Sequence, residues 1–296
     1  MENTSYTNSE ELKNAYEIAK AKAFKGTKVS EQLTAVYLAG QPGSGKSKMV
    51  ELTKNNLDSK TAVVIDTDVF RQTHPEYKRI AKESPETMYK VLDTYAFDVA
   101  GKIVDLAIKS KRNIVFDGTF GGNFDFIKTS MQKMKDAGYN VEINALATNS
   151  TVSKMGIAAR YEDQLAKTGY GRTVEVSYHD EVYKNIPKNI EKAIDTGLVS
   201  KYRLYTRDLV SKETSLQKEF KASKNKLTDK HFLNQYQAER KNPLSKEASN
   251  KLYKWYNTVK SKIEKRGGDV EGFEKTINIK SVFIEQNKTK SSEKTM

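Results

Sequence analysis

The chain contains no cysteine, which excludes a disulfide framework, a thiolate zinc site and a cysteine nucleophile together. Histidine is scarce. The three present, His74, His179 and His231, have no metal-ligand spacing, and no catalytic role is assigned to them. No apolar run approaches the roughly 20 residues that span a bilayer. The opening Met1-Glu2-Asn3-Thr4-Ser5 is polar and leads into acids, unlike the apolar stretch of a signal peptide. A cytoplasmic protein without membrane attachment is expected.

Acidic residues are also in deficit, and the deficit is local. The formal net charge is +13 over 296 residues. From Ser211 to Met296 there are 20 Lys+Arg against 11 Asp+Glu, so this last stretch alone carries +9 and the preceding 210 residues only +4. A basic tail of this kind can meet nucleic acid or another anionic partner. It can equally be the solvated face of lysine-rich helices. The absence of arginine–aromatic clustering favours the second reading, with nucleic acid kept as an alternative.

Against these absences stands one strong presence. Residues 40–47 read Gly40-Gln41-Pro42-Gly43-Ser44-Gly45-Lys46-Ser47, a full match to the phosphate-loop pattern G-x-x-x-x-G-K-[ST]. The apolar run Thr34 to Ala39 precedes it and a helical pattern from Lys48 to Leu52 follows. A strand, a glycine-rich turn and a helix N-terminus aim backbone N–H groups at the phosphates of a nucleotide. Lys46 is placed to reach the outer phosphates and the Ser47 hydroxyl to ligate Mg²⁺. ATP or GTP with Mg²⁺ is the expected ligand.

The rest of the first two thirds alternates apolar runs with helical patterns. Strands are expected at Thr61–Asp66, Asn113–Asp117, Asn140–Leu146 and near Arg203–Tyr205. Helices are expected over Ser9–Phe24, from Met88 to Ile108, Phe126–Ala137, Thr151–Lys167 and about Val174–Ala193. The expectation is an α/β fold, a parallel sheet with helices on both faces and ligands at the carboxyl ends of its strands, which the resemblance given below narrows to that of a P-loop kinase. After about Asp208 the pattern changes. Leu252, Tyr256, Val259 and Ile263 form a helical stripe of packing type, and Asn287–Met296 reads as a disordered end. Residues 1–208 are therefore expected to form the kinase domain, and 209–296 a mainly helical, lysine-rich extension.

Three strands end in candidate functional residues, which one crevice would gather. Asp66-Thr67-Asp68 ends the second strand. A carboxylate there can orient a substrate hydroxyl and accept its proton, and Asp68 suits that role while Asp66 can cap its own turn. Asp117-Gly118-Thr119 closes the third; Asp117 can assist Mg²⁺ or bind substrate hydroxyls, or cap the following helix. Arg160 on a helix and Arg172 in the loop Thr168–Arg172 resemble the lid arginines of small-molecule kinases, which place positive charge over a γ-phosphate.

Taken together these segments resemble the zeta toxins, the kinase toxins of bacterial epsilon–zeta toxin–antitoxin systems. The matching stretches are GQPGSGKS (40–47), VVIDTDVFRQTHPEY (63–77), NIVFDGT (113–119), ARYEDQ (159–164), GRTVEVSYHDEVYKNIPKNI (171–190) and RLYTR (203–207). The resemblance implies a polynucleotide-kinase-like fold, a small helical antitoxin as partner, and ATP- and Mg²⁺-dependent phosphorylation of a sugar hydroxyl of UDP-N-acetylglucosamine. It implies Lys46 and Ser47 on ATP phosphates and Mg²⁺, Asp68 as the base, Arg160 and Arg172 on the γ-phosphate, and Asp117 and Thr119 in the substrate pocket. The chain departs from the family where Asp117 replaces a glutamate, where Phe120–Asn123 lacks an arginine, and where Gly101 replaces a sugar-contacting acid, with Asp98 and Asp105 nearby. The alternatives are a kinase of another hydroxyl acceptor (a nucleoside, a nucleic-acid 5′ end or a dinucleotide) and a non-enzymatic nucleotide-binding module.

Overall fold

The computed structural model describes residues 10–279, apart from 86, 212, 224 and 225. The tail from Asn287 lies outside these residues, as does Ser9 at the expected start of the first helix.

Strand β1 (Thr34–Ala39) is buried at every position, as an uninterrupted apolar run in a parallel sheet must be. It occupies the middle of a sheet with β2 (Ala62–Ile65), β3 (Asn113–Phe116), β4 (Asn140–Ala147), β5 (Val199–Arg207) and β6 (Thr214–Lys221), in the order β2-β3-β1-β4-β5-β6. The first five strands run parallel and β6 is antiparallel to β5. Alternate residues of β1 face opposite layers. Val36 and Leu38 pack with Met49 of α2 (Lys46–Asn56), whereas Ala35, Tyr37 and Ala39 join the larger core on the other face. That core includes residues of α5 (Met88–Lys109), α6 (Phe124–Asp136) and α8 (Val176–Thr196). Helix α1 (Glu10–Phe24) adds Ala19 to it. The expected strands and long helices are all present, and the fold is the helix-covered parallel sheet of a P-loop kinase.

The segment after Asp208 begins inside this sheet. β6 extends it by one strand, and Phe232, Leu233 and Tyr236 of α9 (Leu227–Lys241) enter the main core. Helices α10 (Lys246–Lys265) and α11 (Val270–Ile277) build a second cluster. There the predicted stripe Leu252, Tyr256, Val259 and Ile263 packs with Val152, Met155 and Ala159 of α7 (Ser150–Thr168). Among the described residues no helix is long and apolar enough to cross a membrane.

One contact explains how α9 is held. Pro187 lies inside α8, where it has no N–H to donate to the carbonyl of Tyr183, four residues earlier. Arg240 of α9 supplies the missing donor: its guanidinium donates to Tyr183 O and lies 3.6 Å from the centroid of the Tyr183 ring. Arg240 is 4% exposed, so the orphaned carbonyl is satisfied in a dry site. Arg240→Ala is expected to lower the unfolding free energy by about 1–3 kcal/mol. In a Pro187→Ala background the same substitution should cost less, because an alanine at that position provides the N–H. Equal costs in the two backgrounds, read from urea melts, would show that this carbonyl is not what Arg240 stabilises.

Candidate active site

The phosphate loop leaves β1 at Gly40 and enters α2 at Lys46. Two of its glycines hold the left-handed conformations such a turn requires, Gly43 at φ +76° and Gly45 at φ +97°. A Cβ on Gly43 would lie 2.0 Å from the carbonyl oxygen of Ser153, and one on Gly156 2.3 Å from that of Gly43. The loop and α7 thus touch backbone to backbone. Polar contacts fix the same seam. Gln41 Nε2 donates to Thr148 O at 2.8 Å and to Ser153 Oγ at 3.1 Å. Ser153 Oγ lies 2.8 Å from His179 Nε2, and His179 Nδ1 lies 2.9 Å from Asp180 Oδ1. His179 is fully buried and acts as a strut between α7 and α8.

Lys46 Nζ donates to the loop carbonyls of Gly40 at 2.7 Å and Gln41 at 3.3 Å. Burial holds its ammonium below the ordinary lysine range, against the pull of Asp117 and Asp68. Ser47 is exposed at the first turn of α2. Among the described residues Gln41 Oε1, Ser44 Oγ and Arg160 Nε are buried without a hydrogen-bond partner, and all three belong to the loop or to the helix packed on it. A tight glycine cradle, a lysine and orphaned polar atoms at one place fit a polyanionic ligand.

Asp66 and Asp68 stand in different surroundings. Asp66 caps the short α3 (Thr67–Arg71), accepting from the backbone N–H of Asp68 at 2.8 Å and of Val69 at 3.3 Å. Asp68 instead faces two guanidinium groups, pairing with Arg71 and with Arg172. Burial opposes its ionisation, but Arg172 and Arg71 outweigh that and hold the carboxyl below the usual range. Its side chain still keeps 41% of its surface accessible, so a substrate can reach it. Arg71 also donates to Asp93 of α5, through Nε at 2.8 Å and Nη2 at 2.5 Å.

The two arginines from the lid region meet at this point. Arg160 has no carboxylate partner among the described residues, and burial together with Arg172 pulls it down to about 10. Arg172 is oriented by its backbone N–H, which donates to Gln164 Oε1 of α7 at 2.7 Å. Asp117 follows β3, and burial pushes its carboxyl up to about 6 although Lys46 opposes the shift. Thr119 is spent on its own turn: its hydroxyl accepts from Gly121 N at 3.2 Å and its carbonyl from Gly40 N at 3.1 Å. Lys46, Asp68, Asp117, Arg160 and Arg172 are therefore one electrostatic cluster, with Thr119 at its backbone edge.

Sequence reasoning missed Arg71, Asp93 and the Gln41–Ser153–His179 strut. Arg71 was within reach, because it sits one helical turn beyond Asp68. Asp93 carries no local signal and is brought in by the packing of α3 on α5. Two acids weighed beside Gly101 pair on the surface instead, Asp98 with Lys102 at 2.7 Å and Asp105 with Lys133 at 2.5 Å, while Gly101 itself is exposed with open space around it. Among the described residues no cluster of three or more acids and histidines could cage a metal ion. Mg²⁺ held by Ser47, one carboxylate and ligand phosphates needs no such cage.

The Asp117 carboxyl makes a measurable pH signature. Its pKa in the fold, about 6, lies above its ordinary value of 3.8. Folding therefore favours the protonated form, and the group costs nothing below pH 4 and its full penalty above pH 6. The stability of the unliganded protein relative to Asp117→Asn should fall by about 1–3 kcal/mol between pH 4 and pH 6 and then level off. A difference that stays flat across this range in urea melts would remove the desolvated state assigned to Asp117.

Comparison with known proteins bears on the family and the fold. The zeta toxin family profile matches residues 18–214. A zeta toxin of Streptococcus pyogenes is 32% identical over 198 residues, covering 65% of this chain and 67% of its own. Among solved structures, the PezAT chromosomal toxin–antitoxin system of Streptococcus pneumoniae aligns over 87% of this chain and 98% of that one, with a TM-score of 0.67 at 22% identity. AvrRxo1-ORF1 with AvrRxo1-ORF2, solved with ATP, aligns over 90% of this chain and 81% of that one, with a TM-score of 0.50 at 15% identity. With its family profile spanning most of the sequence and its fold that of a P-loop kinase, the chain belongs to the zeta toxin family.

Proposed function

We propose that this protein is a kinase that moves the γ-phosphoryl group of ATP to a sugar hydroxyl of UDP-N-acetylglucosamine and acts as the toxin of a toxin–antitoxin pair. The observation that carries the proposal is the pairing of Asp68 with Arg172 and Arg71 beside the Lys46 cradle. A carboxylate beside the cradle, together with Arg160, which has no carboxylate partner among the described residues, suits in-line phosphoryl transfer.

In the reaction, the acceptor oxygen bonds to the γ-phosphorus as the bond to the β,γ-bridging oxygen breaks, and ADP leaves. Asp68 orients the acceptor hydroxyl and takes its proton. Its low pKa makes it a positioner first and a base late, which suits a loose transition state in which the hydroxyl proton is lost last. Lys46 and the loop N–H groups hold the β- and γ-phosphates. Arg160, half-buried and without a carboxylate partner among the described residues, and Arg172 meet the charge spread over the equatorial oxygens. Ser47 would hold Mg²⁺ together with a nearby carboxylate such as Asp117, and the ion would supply positive charge that stabilises the leaving group. Asp117 and Thr119 border the acceptor side, where Asp117 is one methylene shorter than the glutamate of the family pattern.

The basic tail lends the nucleic-acid alternative little support. Lys262 pairs with Asp163 at 2.6 Å, Arg266 with Glu162 at 2.8 Å and Lys260 with Glu274 at 2.7 Å, so part of its charge is neutralised within the fold. The PezAT neighbour is described as a toxin–antitoxin system, which supports an antitoxin partner here. Helix α1, with Ile18 exposed on its surface, is the proposed docking element.

Two substitutions test the chemistry. Lys46→Ala should abolish transfer, and Asp68→Asn should lower kcat by roughly 10²–10⁴ with little change in the KM for ATP. If Asp66→Asn proved the more damaging change, the roles within this pair would be reversed. With labelled ATP and a panel of UDP-sugars, nucleosides and 5′-hydroxyl oligonucleotides, UDP-N-acetylglucosamine is the expected acceptor. Transfer to a nucleoside or a nucleic-acid end with none to UDP-sugars would overturn the acceptor while leaving the donor half intact.

Expression in a walled bacterium without the antitoxin should slow growth or lyse cells, and Lys46→Ala should relieve this. Harmless expression of active enzyme would contradict the toxin role alone.

A further inference from the structure

A cleft of about 340 Å³ opens between the end of β5 and α10, lined by Arg207, Leu209, Lys251, Lys254, Trp255 and Thr258. It is within the size range of small-molecule sites, which begins at about 300 Å³. Neither the phosphate-loop pattern nor the segments that resemble the family account for its α10 wall.

Its position relative to the phosphate loop is fixed by one close contact. A Cβ on Gly45 would lie 3.1 Å from both Cδ and Nη1 of Arg207, so the Arg207 side chain lies directly against the last glycine of the cradle. Arg207 is half-buried, and no carboxylate pairs with it among the described residues. Its guanidinium carbon sits 5.9 Å from the centroid of the Trp255 ring. The cleft therefore offers an unneutralised cation at its loop end, an indole on its wall and the lysines Lys251 and Lys254 along α10. A cation beside a planar aromatic matches one ligand class well, a phosphate ester joined to a flat heterocycle.

Sheet order gives the direction. Asp68 and Asp117 follow β2 and β3, on one side of β1, and the cleft follows β5 on the other side. A nucleoside triphosphate in the loop must turn its γ-phosphate toward Asp68. Its nucleoside end then leads away across β4 toward β5, where Arg207 and Trp255 stand.

We propose that this cleft takes the base and ribose of the donor nucleotide, with Trp255 of the C-terminal helix α10 as the stacking surface and Arg207 nearest the α-phosphate. The proposal rests on the reading above only in that a nucleotide occupies the phosphate loop; it is independent of the acceptor and of toxicity. It makes the C-terminal segment a working part of the donor site.

Trp255 is the single tryptophan of the chain, so the unmodified protein reports on its own cleft. The full chain is titrated with ATP and with inorganic tripolyphosphate, each with Mg²⁺, while calorimetry gives the affinities and Trp255 emission reports the cleft. ATP should change the emission saturably, and tripolyphosphate should bind without changing it. Trp255→Ala should raise the Kd for ATP about tenfold and leave that for tripolyphosphate within about twofold, and Trp255→Phe should restore most of the loss.

ATP binding with unaltered emission and an unaltered Kd in Trp255→Ala would overturn the base site and leave the loop as the nucleotide site. Equal weakening of both ligands in Trp255→Ala, unrelieved by Trp255→Phe, would assign Trp255 to packing and overturn it too. Failure of both ligands to bind would overturn this proposal together with the kinase reading.

Discussion

The close approach of Gly43 and Gly156 is the contact on which the candidate site depends. Two backbones meet where neither can carry a side chain, so α7 lies directly on the phosphate loop. Helical periodicity does the rest. Arg160 is four residues beyond Gly156 and shares its face, which brings the guanidinium to the cradle. The chain then turns back after Gly169, and Gly171 packs so tightly on Tyr161 that an added Cβ would meet its ring and carbonyl at 2.8 Å. Arg172 follows directly, with its N–H on Gln164 of the same helix. One helix thereby positions both arginines, and the loop it presses on is the one whose ligand they would serve.

The electrostatics follow from that crowding. Lys46, Arg160, Arg172 and Arg71 are gathered against Asp66, Asp68, Asp117 and Asp93 in a partly buried crevice. Opposite charges are not paired off evenly. Asp68 holds two cations, Arg160 holds no anion among the described residues, and Asp117 is desolvated enough to resist ionisation. Burial of uneven charge costs stability, and such clusters are characteristic of sites arranged for a ligand rather than for the fold. An arriving polyphosphate supplies the negative charge that Arg160 and Lys46 lack, and a divalent cation would ease the ionisation of Asp117.

Much of this was legible in the sequence because the signals were local. The strands β1 to β4 are largely buried and read as mainly apolar runs, and the phosphate loop is a contiguous pattern tied to a backbone shape. β5 showed only around Arg203–Tyr205, because Lys201 and both its arginines interrupt it. β6 left no such mark. It is an edge strand on which only Thr214 and Phe220 are buried among mostly exposed polar residues, so Thr214–Lys221 has neither an apolar run nor strict alternation. α8 runs through Pro187 only because Arg240, more than fifty residues away in sequence, satisfies the carbonyl that proline leaves open. Asp93 escaped notice for the same reason, and Arg207 was read only as the end of a matching segment: each acquires its surroundings from tertiary packing.

The basic C-terminal segment shows how charge composition can mislead. Its lysines and arginines suggest an anionic partner, yet two of them, Lys262 and Arg266, face acids of α7. Arg266 closes on Glu162, a carboxylate only 4% exposed, and Lys262 on Asp163. Removing Arg266 would leave Glu162 as an unpaired buried charge, which costs far more than an exposed pair gains. Below these pairs, Leu252, Tyr256 and Val259 of α10 pack on Val152, Met155 and Ala159 of α7. α7 is thus gripped on one face by the phosphate loop and on another by α10 and α11. The same α10 that fixes α7, and through it Arg160 and Arg172, also carries Trp255 beside Arg207. The extension braces the helix that bears the arginines and walls the cleft next to the cradle, and part of its basic charge is met by acids within the fold.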